Sequence, residues 1–67
     1  MDRMDQLVAS AVRQGFSVRQ TRTGTWIWRR NFQTLVTEHT PRTPREWMYL
    51  INALRGLGLR FPDSRNE

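Results

Sequence analysis

The chain has no cysteine, no lysine and a single histidine, and no apolar run approaches the ~18 residues of a membrane-spanning helix. Each absence removes a class of function. Without thiols there is no disulfide framework, no thiolate metal site and no cysteine nucleophile. Without lysine there is no Walker-type phosphate lysine and no Schiff base. His39, alone and without a carboxylate cluster, makes no zinc site, and a lone histidine is more often a polar surface residue than a catalyst. The six carboxylates are scattered, with no pair suited to acid–base work. No metal, cofactor or catalytic residue is expected, and the balance is against an enzyme. The start, MDRMDQLVASAVRQGF, carries acidic residues where a leader or anchor would be apolar, which reads as a soluble cytoplasmic protein with no membrane partner.

What is present is arginine. All eleven basic residues are arginine, the net charge is +5 and the isoelectric point is about 11.6. On a chain of 67 residues that is the footprint of a protein that meets phosphate. The arginine fork pairs with phosphate bidentately and stacks on bases. The plainer account is codon bias in a GC-rich genome, with arginine as the default solvated cation. The length allows one domain, which buries only about 60% of its extended surface, so most large apolar side chains are needed for stability.

Along the chain, Asp2 can cap a first helix whose Met4, Leu7, Val8, Ala11 and Val12 follow helical spacing, with Gly15 as its stop. FSVRQTR alternates like a strand, Thr23-Gly24 marks a turn, TWIWRR is a second strand, RNFQ holds the next turn, and TLVTEH is a third strand. Thr43, Pro44 and Glu46 form a capping box for a helix in which Trp47, Leu50, Ile51, Leu54 and Leu57 make one apolar stripe closed by Gly58. The predicted fold is α+β, in the order α-β-β-β-α, with a three-stranded antiparallel sheet and two helices on one face. One domain spans 1–61, followed by a polar tail at 62–67.

The Gly15-Phe16 step, the Gly24 hairpin entering an aromatic strand, and TPRTPREWMYLINALRGLGL resemble the small HicA-like proteins of actinobacterial and phage type, across roughly residues 5 to 60. The resemblance implies a fold related to double-stranded-RNA-binding domains and descent from RNA-cleaving toxins of toxin–antitoxin pairs. Their activity depends on a histidine at the start of the second strand. Here Gly24-Thr25-Trp26 stands in that place, and neither Thr25 nor Trp26 is a general base near neutral pH. The implied protein is non-catalytic and binds nucleic acid, RNA before DNA. The alternative is a small phage-type interaction module that binds a host or antitoxin protein.

Two of the three tryptophans lie in this hairpin, and its register decides their role. A two-residue turn at Thr23-Gly24 pairs Gln20 with Ile27 and turns Trp26 and Trp28 outward among arginines, as a stacking platform. A three-residue turn or a bulge sends both indoles inward. Tryptophan in so small a domain is more often core than platform, and the family likeness favours inward as well. The candidate phosphate contacts are Arg19, Arg22, Thr25, Arg29 and Arg30 on the hairpin, with Arg42 and Arg45 at the capped start of the last helix. Oligomeric state is not readable from the sequence.

Overall fold

The computed structural model describes residues 2–61. The tail expected over 62–67 lies outside the described residues. Five elements follow in order: α1 (Arg3–Arg13), β1 (Ser17–Gln20), β2 (Trp26–Arg30), β3 (Gln33–Thr37) and α2 (Pro44–Gly56). The sheet is antiparallel with strand order β1-β2-β3, giving the α-β-β-β-α architecture read from the sequence.

Both helices start and stop by the same chemistry. The Asp2 carboxylate accepts the Asp5 N–H at 2.8 Å, and Thr43 Oγ1 accepts the Glu46 N–H at 3.1 Å, each relieving an unpaired N–H of a first turn. Each C-terminus is a Schellman ending. Gly15, at φ 96°, donates to Val12 and the next residue, Phe16, to Ala11; Gly58, at φ 103°, donates to Arg55 and Leu59 to Leu54. A positive φ is why glycine stands at both places. Each ending swings its following residue inward, so Phe16 and Leu59 are both buried.

The core joins Leu7 and Ala11 of α1, Leu50 and Leu54 of α2, Trp28 of β2, and the two capping residues Phe16 and Leu59. Val18, Trp26 and Leu35 are half-buried against it, and Ile51 is buried as well. The helices therefore cover one face of the sheet. They run in the same direction: Asp2–Met4 and Thr40–Pro44 line one hollow at their starts, while Gln14 clamps Arg60 at their ends through two hydrogen bonds of 2.8 and 2.9 Å. A chain of 67 residues closes its core by pinning the loop after α2 to the end of α1 in this way.

Of the two hairpin registers open to the sequence, the structure takes the three-residue turn, the one that sends the tryptophans into the core. Gln20 pairs with Trp26, Val18 with Trp28 and Ser17 with Arg29, one residue away from the register that Thr23-Gly24 suggests. Thr21 N–H donates to Thr25 at 2.8 Å and Gly24 N–H to Thr21 at 3.0 Å, which closes a three-residue loop with Gly24 at φ 96°. Because strand side chains alternate, this one-residue slip turns both indoles to the helix side and Ile27 to the outside. Trp28 is fully buried, and Trp26 stacks on it with ring centroids 5.9 Å apart. Each indole N–H finds a hydroxyl, Trp28 that of Thr37 at 3.2 Å and Trp26 that of Thr40 at 2.9 Å.

Candidate nucleic-acid interface

Strand alternation divides the hairpin arginines. Arg19 lies opposite Ile27, and Arg29 lies between Ser17 and Thr34, all on the sheet face that no helix covers. The two arginines are diagonal neighbours, about 7–8 Å apart at the backbone, and both are exposed. Arg22 is exposed in the loop joining β1 and β2. Thr25 is half-buried, and its N–H donates to Thr21 Oγ1 at 3.1 Å, so it shapes the loop that carries Arg22.

Arg30 separates from this group. One residue beyond Arg29, it points to the helix side, where it donates to the Leu57 carbonyl at 3.3 Å and sits 5.4 Å from the centre of the Phe16 ring. A guanidinium against a helix C-terminal carbonyl and an aromatic face is a structural clamp. A Cβ on Gly58 would collide with that guanidinium. Of the four hairpin arginines, three face solvent and one ties both Schellman endings together.

Arg42 and Arg45 are exposed at the start of α2, as the sequence places them. The anion site there is narrower than a bare helix end. Pro44 has no N–H, Glu46 N–H goes to Thr43 Oγ1, Trp47 N–H goes to the Thr43 carbonyl, and the Glu46 carboxylate takes the Arg42 N–H at 2.8 Å. Only the Arg45 N–H remains open in that first turn. Sequence reasoning missed Arg3. It lies over the Trp47 ring at 5.3 Å and lines, with Arg42, the hollow of about 350 Å³ between the two helix starts. No local pattern could have marked it, since its partner is more than forty positions away.

The single histidine lines the groove between β3 and α2, together with Glu38, Arg45, Glu46 and Tyr49. His39 is exposed beyond β3, and its Nδ1 donates to the Thr40 carbonyl at 2.9 Å. Among the described residues no group of three or more histidines and carboxylates could hold a metal ion, and no helix is long and apolar enough to cross a membrane. With both indoles on the helix side, the strand positions of the outer face offer arginines and aliphatic groups, and the one fully exposed ring nearby is Phe32 in the turn between β2 and β3. Such a face offers charge for phosphate, and guanidinium planes rather than rings for stacking. No known protein family, curated protein or solved structure matches the chain.

Proposed function

We propose that this is a non-catalytic nucleic-acid-binding protein of HicA-like type, which contacts phosphate through the uncovered face of its sheet. The observation that carries the reading is the composition of that face. Its strand positions are Ser17, Arg19, Ile27, Arg29, Thr34 and Val36, with two exposed arginines and no covering helix, and its one carboxylate, Glu38, stands just beyond the end of β3. Arg22 extends the basic surface at the hairpin loop, and Arg3, Arg42 and Arg45 form a second group at the helix starts. Phosphate contacts of this kind position a nucleic acid without reading its sequence. The preference for RNA over DNA rests on the resemblance alone. So does descent from RNA-cleaving toxins, for which Thr25 and Trp26 leave no general base beside Gly24.

Binding follows by fluorescence anisotropy with labelled single-stranded and duplex RNA at two salt concentrations. Double replacement of Arg19 and Arg29 by glutamine is expected to weaken binding on every sequence and flatten the logarithmic salt slope by about 1.5–2. The same change at Arg42 and Arg45 weighs the helix starts against the sheet. If the parent protein shows no affinity for RNA or DNA at about 50 mM salt, where phosphate-driven binding is favoured, the proposal fails. The second reading, a protein-interaction module, draws on exposed Val36 beside Ile27 in the midst of these arginines. Its mark is a partner affinity that salt barely changes.

A further inference from the structure

We propose that two copies of this chain join through β3, making one six-stranded antiparallel sheet. This inference does not depend on nucleic-acid binding. It begins with the free edge of β3. The loop between β2 and β3 has two residues, Asn31-Phe32, with Asn31 at φ 56° as a primed hairpin turn requires. Such a loop makes Arg30–Gln33 a hydrogen-bonded pair, and alternation makes Trp28–Leu35 and Trp26–Thr37 the next ones. The N–H and C=O groups of Thr34 and Val36 therefore point away from β2, along an outer edge that no other strand pairs.

Monomeric proteins blunt such edges with charge, proline, bulges or very short strands. The β1 edge follows that rule: it has four residues and carries exposed Arg19. β3, reading QTLVT, has no charge, proline or glycine. It also has apolar surface on both sides. On the outer face, Val36 is 57% exposed next to half-buried Ile27. On the helix side, an open groove of about 570 Å³ runs between β3 and α2, with Leu35, Tyr49, Leu50 and Ala53 as its apolar lining and Glu38, His39, Arg45 and Glu46 as its charged and polar lining; Tyr49 is 78% exposed. A strand added to this edge would send alternate side chains into that groove.

The sequence of β3 suits its own copy. Antiparallel pairing about a twofold axis with Val36 against Val36 sets Leu35 opposite Thr37 and Thr34 opposite Glu38. No like charges meet. On the outer face the Ile27–Val36 stripe runs unbroken into that of the other copy. Glu38 of one copy is separated from Arg29 of the other only by Thr34, a small side chain, so opposite charges face each other across the seam. On the helix side, Leu35 and Thr37 of each copy enter the groove beside Tyr49 of the other.

Sedimentation equilibrium over a dilution series is expected to show a monomer–dimer equilibrium. Val36→Lys should weaken it at least about tenfold while leaving the circular dichroism spectrum unchanged, because the position is exposed and lysine is a natural edge protector. The absence of native cysteine permits a register test. Twofold-related Val36 residues would have Cα atoms about 5.5 Å apart, within disulfide range, so Val36→Cys should oxidise to a covalent dimer. Thr34→Cys, whose opposite position is Glu38, should not. A parent chain monomeric up to about 1 mM overturns the proposal. So does a dimer that Val36→Lys leaves intact, or one that Thr34→Cys traps and Val36→Cys does not. Binding of a foreign extended peptide by a strictly monomeric chain would refute the second copy as occupant.

Discussion

Trp28→Phe tests the register of the hairpin. Replacing indole by phenyl at a fully buried site removes roughly 40 Å³ of packed volume, a cavity cost of about 1 kcal/mol. The Nε1 hydrogen bond to Thr37 Oγ1 disappears as well, costing about 1 kcal/mol more. The sum, about 2 kcal/mol, is a large share of the roughly 3–10 kcal/mol that 67 residues ordinarily accumulate. Urea denaturation followed by far-ultraviolet circular dichroism measures it, because the far-ultraviolet signal does not depend on the deleted indole. The midpoint should fall with an unchanged slope, since the surface exposed on unfolding is nearly the same. The outward register makes a different forecast: a platform residue contributes to binding and not to folding. A loss below about 0.5 kcal/mol, the level of an innocuous surface change, would refute the inward placement of Trp28 and the three-residue loop that produces it.

Two further substitutions probe the helix side. Leu54→Ala empties a fully buried position facing Trp28 and should cost about 2–5 kcal/mol by the same denaturation assay. Gly58→Ala should cost about 1–3 kcal/mol, and Gly24→Ala less, read as melting-temperature losses of about 4–8 °C per kcal/mol. Both glycines hold a left-handed φ, but only Gly58 abuts a neighbour, the Arg30 guanidinium. Equal losses at the two glycines would mean that the Arg30 guanidinium moves aside at no cost.

Local chemistry made the helices legible. Asp2, Gly15, Thr43, Pro44, Glu46 and Gly58 each act within four residues of where they stand, and the structure uses every one at the expected end. Glu46 differs in one detail, reaching the Arg42 N–H where a standard capping box would engage that of Thr43. Strand positions were legible to within about two residues for the same reason. Register was not. Thr23-Gly24 satisfies the sequence preferences of a two-residue turn, and only the gain from burying Trp28 against Leu7, Leu50 and Leu54, contacts far away in the chain, selects the longer loop. The division of Arg29 from Arg30 follows from that register and was equally hidden. Arg3 escaped notice because its ring contact with Trp47 joins the two ends of the chain.

The parallel run of the two helices has an electrical consequence. Peptide dipoles aligned in one helix leave about half a positive charge at its start and half a negative charge at its end, and two helices side by side in the same sense add. The arginines are unevenly affected. Arg30 and Arg55 lie at the carbonyl ends, where Arg30 donates to the Leu57 carbonyl and Arg55 to that of Phe61, so part of their charge is answered locally. Arg3, Arg42 and Arg45 stand at the opposite pole, where Asp2, Asp5 and Glu46 offset their charge, while Arg13 and Arg60 add to the carbonyl ends. The side-chain charges thus oppose the summed peptide dipoles, and each helix is stabilised at both of its ends. On the proposed nucleic-acid-binding reading, it is the net positive charge that draws phosphate in, and the rate of encounter falls with added salt.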